Sequence, residues 1–191
     1  MYKLYLKQIL LLLITLLIIY LYTLPRYVIY LPTIPVYNNS EADEVYEITK
    51  KRNFEDVRFF ELTDDSIIPA FLPYINECYE EIEKITTSYT VYIILILTKY
   101  TINRPRPYQI NKNIDNLDSK TGYTPAMPAG HAFQAYYLAA ILSKRYPHKK
   151  QKFDEIAKKC DDCRVKAGIH YPSDGVFSKK IVNYLNDLKI I

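Results

Sequence analysis

The chain has 191 residues, which suits one domain with a short appendage and excludes two full domains. It is 49% apolar, so it is not disordered, yet 24% charged with a mean hydropathy of −0.14, which argues against a multi-span membrane protein. The net charge of +4 leans on Lys3, Lys7 and Arg26 around the N-terminal apolar run, so the folded part is too near neutral for a nucleic-acid binder; 4 glycines argue against a Gly-rich nucleotide-binding fold, and 3 cysteines against a disulfide scaffold.

Ile9 to Leu24 reads ILLLLITLLIIYLYTL, close to the roughly 20 residues that cross a bilayer. Lys3 and Lys7 precede it and only Arg26 follows closely. This asymmetry predicts a cytoplasmic N-terminus and a single-pass anchor over 1–27, with the rest of the chain on the non-cytoplasmic side. A cleaved signal peptide is the rival reading, but Pro25-Arg26-Tyr27-Val28 lacks the small residues that cleavage expects. A buried core helix is the third reading, and the run is apolar on every face. Residues 28–40, with Pro32, Pro35 and Asn38-Asn39-Ser40, read as an extended tether. The Asn-Asn-Ser triplet also fits a glycosylation acceptor, a common chance pattern.

Residues 41–191 read as an all-α domain. Ser40 is placed to cap a helix over about 41–52, with Asp43 and Glu44 in its first turn. Asp64-Asp65-Ser66 predicts the start of another, running to about Thr86 with Pro69 and Pro73 near its beginning. Tyr89–Thr98 is an apolar decamer, too short for a span; a core helix and a strand both fit it. Residues 103–127 are polar and aperiodic. Pro128 then precedes a helical pattern ending near Tyr146-Pro147, helix formers fill Lys150–Val165, and Ser173 is expected to cap a last helix over about 174–188.

The chemistry sits in three short segments. They are Lys99-x6-Arg106-Pro107, Pro128-Ala129-Gly130-His131 and Cys163-Arg164-x5-His170-x3-Asp174. Singly, each residue has an ordinary structural explanation: a lone His is more often structural than catalytic. Together they bring two His, three cations and one carboxylate. Arg presents planar forks to phosphate oxygens and Lys adds a point charge, so the cations suit a tetrahedral oxyanion. The start of a helix at Ala129-Gly130 can aim backbone N–H groups at the same anion. One His can attack phosphorus while the other protonates the leaving oxygen, and a carboxylate can fix the tautomer of the attacking ring. With the phosphoryl oxygens already neutralised, no metal and no cofactor are expected. His148 lies in a solvated Pro-His-Lys-Lys turn.

Order and spacing resemble the superfamily of type 2 phosphatidic acid phosphatases, bacterial class A acid phosphatases and vanadium haloperoxidases, whose signature is K-x6-R-P, P-S-G-H and S-R-x5-H-x3-D. The resemblance covers about residues 88–176, and more loosely Asn53–Pro73. It implies a compact helical bundle behind the single N-terminal transmembrane helix. It implies that His170 is the nucleophile forming a phosphohistidine, that Asp174 orients it, and that His131 is general acid and then base. Lys99, Arg106 and Arg164 would hold the phosphoryl oxygens, assisted by the backbone around Ala129 and Gly130. The implied substrate is a phosphorylated small molecule or a lipid phosphate; vanadate-dependent haloperoxidase chemistry, or a catalytically degenerate anion-binding protein, are the alternatives.

Two positions depart from the signature. Ala129 stands where the family has Ser, which removes a hydroxyl donor worth on the order of 1–3 kcal/mol in the transition state. Cys163 replaces the Ser before the third-motif Arg. Cys160 and Cys163 have half of a metal-site spacing with no second half, and are expected as unpaired thiols; Cys78 is expected in the core. The long segment between Pro107 and Pro128 is expected to lid the site and set substrate choice.

Overall fold

The computed structural model describes residues 2–23, 32–38 and 40–191. They fall into two compact units, residues 1–31 and 32–191. In the first, helix α1 (Tyr2–Thr23) leaves Ile9, Leu10, Leu11, Leu12 and Leu13 exposed. Among the described residues no single helix is long and apolar enough to cross a membrane, and the apolar stretch of α1 runs Lys7–Leu17. The expected transmembrane span is therefore not shown. The side chain of Lys3, the Pro25-Arg26 flank, residues 28–31 of the tether and Asn39 of the acceptor triplet lie outside the described residues.

The second unit is helical, with no strand among the described residues. Its elements are α2 (Glu41–Thr49), α3 (Phe54–Asp64), α4 (Tyr79–Thr86), α5 (Tyr89–Ile102), the single turn α6 (Pro107–Ile110), α7 (Gly130–Arg145), α8 (Lys150–Lys166) and α9 (Pro172–Asp187). Helix α7 is central. Alanines 132, 135 and 139 let neighbours approach, while Phe133, Tyr137, Leu138 and Leu142 fill the space between. Helix α8 packs along it through Phe153, Ile156, Ala157 and Cys160, an i, i+3, i+4, i+7 stripe. Helix α9 adds Phe177, Ile181, Val182 and Leu185. The Asn53 side chain accepts from Asp56 N–H at 3.0 Å while Asn53 N–H donates to the Asp56 carboxylate at 3.1 Å, a reciprocal cap that starts α3.

Four expectations are corrected. Asp64 closes a helix instead of opening one. The segment to Thr86 is two 3-10 turns (Ile68–Ala70, Leu72–Tyr74) followed by α4, because Pro69 and Pro73 supply no N–H to continue an α-helix. Helix α2 stops at Thr49, short of 52. Ser173 lies inside the first turn of α9 and Tyr171 precedes that helix, so Ser173 does not cap it. Cys78 is exposed at the start of α4. Cys160 and Cys163 are buried and free. The apolar decamer is helix: α5 continues to Ile102 and Asn103 ends it at φ 49, a left-handed stop that Asn tolerates.

Candidate active site

Gly168 begins the geometry. At φ +75 it ends α8, and a Cβ there would sit 2.7 Å from Ile114 Cγ2. The turn sends Ile169 and His170 back into the core ahead of α9. His170 is 2% exposed. Arg106 Nη1 lies 2.9 Å from His170 Nε2, and a guanidinium only donates, so Nε2 accepts. The ring proton is then on Nδ1, which donates to Asp174 Oδ2 at 3.1 Å. Asp174 is one helical turn on from His170, and Tyr171 N–H fixes the same oxygen at 3.0 Å. Burial first, and then Arg106 and Lys99, hold the His170 pKa well below its ordinary value, so the ring is neutral with an Nε2 lone pair. Burial lifts Asp174 to about 6, against the pull of Arg104.

His131 stands in the first turn of α7. Its Nε2 donates to the Asp64 carbonyl at 2.9 Å, and burial followed by Arg164 lowers its pKa to about 4. Three cations share this buried neighbourhood. Lys99 Nζ donates to Pro125 C=O at 2.5 Å; burial and then Arg106 lower its pKa to about 7. Arg106 donates to Thr124 C=O at 2.8 Å, Thr121 C=O at 3.1 Å and Ile169 C=O at 2.8 Å. Arg164, fully buried, donates to Asp64 Oδ1 at 3.2 Å and to Thr63 Oγ1, while its Nε has no partner. An orphaned guanidinium N–H at this depth fits an oxyanion site.

The structure brings Lys99, Arg106, His131, Arg164, His170 and Asp174 into one buried cluster. Gly130 lies beside Lys99, whose Cε would be 3.9 Å from a Cβ there. Ala129 is buried, and its N–H points to the Asp174 carbonyl at 3.4 Å. The segment between Pro107 and Pro128 meets the cations through the carbonyls of Thr121, Thr124 and Pro125, and Ser119 within it donates to Asp64 at 2.6 Å.

Sequence reasoning missed three participants. The Asp64-Asp65-Ser66 run predicts a helix start, and nothing in Asp-Asp-Ser distinguishes a first turn from a last. Arg104 has no place in the motif spacing, although Arg104-Pro105-Arg106-Pro107 shows a second Arg two residues from the first. Glu41 gave no signal beyond an acidic first turn.

The two histidines, three cations and one carboxylate of the three motif segments lie together, and residues 84–161 match the family model of the PAP2 superfamily. The match holds the first two motif segments and stops short of Arg164, His170 and Asp174, which the fold brings to the same place. PAP2 proteins are phosphatases and phosphoesterases, which supports hydrolase chemistry on phosphorylated substrates here. No curated protein matches the chain.

Proposed function

We propose that this chain is a membrane-anchored, metal-independent phosphomonoesterase that works through a phosphohistidine at His170. One observation carries the reading: the Arg106–His170–Asp174 line holds a neutral imidazole with its Nε2 lone pair turned toward a cation.

Each group has a job in that chemistry. A phosphate monoester displaces the carbonyls of the covering segment from Lys99 and Arg106 and takes the free Nε of Arg164. His170 Nε2 attacks phosphorus, forming a P–N bond as the ester P–O bond breaks. The imidazolium that results is stabilised by Asp174 through Nδ1–H. The dianion also offsets the cations that depress His131, so its pKa rises on binding and it can protonate the leaving oxygen. His131 then takes a proton from water, whose oxygen attacks phosphorus; the P–N bond breaks and orthophosphate leaves. The fixed cations carry the transition-state charge in a buried site. The exposed apolar side chains of α1 support the anchor, and a tethered site suits lipid phosphates as well as soluble monoesters.

The test uses the full chain in detergent with a chromogenic phosphate monoester and a chelator. Release insensitive to the chelator, and about 1000-fold or more lower in His170→Ala, is expected. Equal release from both proteins overturns the assignment. Vanadate binding without turnover would favour the anion-binding alternative, for which the replacement of the family Ser by Ala129 is the motive.

A further inference from the structure

A fourth buried cation stands behind the site. Arg104 is 2% exposed, and its guanidinium is held between the rings of Tyr171, 3.6 Å from the centroid, and Tyr37, at 4.3 Å. Its guanidinium bonds go to side chains of Asp174, Ser173 and Glu41. Nη1 donates to Asp174 Oδ1 at 2.7 Å and to Ser173 Oγ at 2.6 Å, and Nη2 donates to Glu41 Oε2 at 2.6 Å. Glu41 returns the clamp to the α9 terminus: its Oε1 accepts Ser173 N–H at 2.9 Å and its Oε2 accepts Ser173 O–H at 2.7 Å. Asp174 therefore has its two oxygens divided, one for His170 and Tyr171, the other for Arg104.

We propose that Arg104, clamped by Glu41 of α2 and Ser173, is a positioning residue that aims the Asp174 carboxylate at His170 Nδ1 and so selects the His170 tautomer able to attack phosphorus. This rests on the hydrolase reading above. The physical reason is that a buried carboxylate rotates or takes a proton unless both oxygens are engaged. Arg104 supplies the second engagement and a fixed positive charge. A protonated Asp174 would no longer hold His170 by its Nδ1–H alone, and the lone pair could move away from Nε2. Glu41 matters because it fixes where Arg104 points, and it ties the start of α2 to the site across more than a hundred residues of sequence.

The groups that bear on Asp174 are Arg104, Lys99 and Arg106, which favour its charge, His170 and the Tyr171 N–H, which donate to it, the Tyr171 phenol beside it, and Asp161 on α8, a nearby acid. Glu41 acts on it through Arg104.

Full-length wild type, Arg104→Met, Arg104→Lys and Glu41→Gln are compared on a chromogenic phosphate monoester from pH 4 to 9. Arg104→Met is expected to lower kcat about 100-fold at neutral pH with KM little changed. Its acid limb moves to higher pH, so that activity partly returns as pH rises. Arg104→Lys recovers part of the loss, and Glu41→Gln gives a smaller loss with the same displaced limb. Nitrogen NMR of the resting chain reads the His170 tautomer without turnover: Nδ1–H in wild type, mixed in Arg104→Met. A folded Arg104→Met with unchanged kcat, limb and tautomer overturns the proposal. If Arg104→Met does not fold, a Glu41→Gln protein with an unmoved limb and tautomer overturns it instead. A wild type that releases no phosphate overturns the hydrolase reading, and the tautomer comparison still decides the role of Arg104.

Discussion

The two ends of the site are built from different materials. At the α9 end, His170, Asp174, Arg104, Ser173 and Glu41 hold one another through side chains, the first three buried and the last two half-buried. At the α7 end, His131, Lys99 and Arg106 are held largely by main-chain carbonyls, from Asp64, Pro125, Thr121 and Thr124. The first set is preorganised: the proposed reaction needs none of these side-chain bonds broken. The second set is exchangeable, because a carbonyl oxygen on a cation or an imidazole N–H is a stand-in for a phosphoryl or leaving-group oxygen. The proposed nucleophile thus sits on the fixed side, and His131, Lys99 and Arg106 on the exchangeable one, while Arg164 is held by the side chains of Asp64 and Thr63.

The sharpest way to break this contrast is to remove each histidine in turn. His170→Ala should abolish phosphoenzyme formation and turnover, about 1000-fold or more. His131→Ala should spare phosphoenzyme formation from a nitrophenyl ester, whose leaving group needs no proton, while an alkyl phosphate loses about 100–10,000-fold. Quenched-flow trapping of acid-labile phosphoprotein separates the two. Equal losses on both esters would show that the two ends do not divide the chemistry.

The same contrast explains what was legible in the sequence. The side chains of the motif segments could be read because their spacing sets His170 just ahead of α9, four residues before Asp174 in its first turn, and His131 in the first turn of α7. The central helices were readable from their apolar stripes. The carbonyl partners were not, since any residue carries a C=O and only the path of the chain decides which one meets Lys99. Asp64 failed for a related reason: Asp, Asp and Ser suit either end of a helix, and the start at the Asn53/Asp56 cap decided it. Arg104 could have been noticed, but its aim toward Asp174 depends on Tyr37 and Glu41, far away in the chain.

Lys99 gives the next largest effect. Its pKa of about 7 means that the proposed phosphate-holding charge is present below pH 7 and lost above it. A bound dianion favours the charged form, so kcat/KM should fall about tenfold per pH unit above 7 while kcat holds to higher pH. Folding responds in the opposite sense. Between about 7 and the ordinary lysine value of 10.5 the unfolded chain keeps a proton that the folded chain has shed, so this group makes stability rise with pH across that window. Lys99→Met should remove both trends. Thermal melts and rate profiles on one buffer series check it; parallel movement of activity and stability would refute it.

A smaller effect is expected from the covering segment. Shortening residues 118–123 removes the Thr121 carbonyl from Arg106 and the Ser119 hydroxyl from Asp64. Competition with substrate weakens, so KM for a small ester should drop a few-fold with kcat little changed, and preference among esters of different size should flatten. Unaltered KM and unaltered preference would mean that the carbonyls are not displaced in the rate-determining range.

The smallest change is the most discriminating. Ala129 is the residue before α7, the N-cap position, and it is fully buried beside the cluster. Ala129→Ser would restore a hydroxyl with two possible partners. Its oxygen can accept a free N–H of the first helical turn, which stabilises the fold by about 0.5–2 kcal/mol. Its proton can be donated to a phosphoryl oxygen, which accelerates turnover without needing any gain in stability. On the exchangeable side of the site a new donor should act mainly in the transition state, so a few-fold higher kcat is expected with a modest rise in Tm. A higher Tm with unchanged kcat would assign the hydroxyl to the helix alone. It would mean that the backbone around Gly130 and the orphaned Nε of Arg164 already saturate the oxyanion.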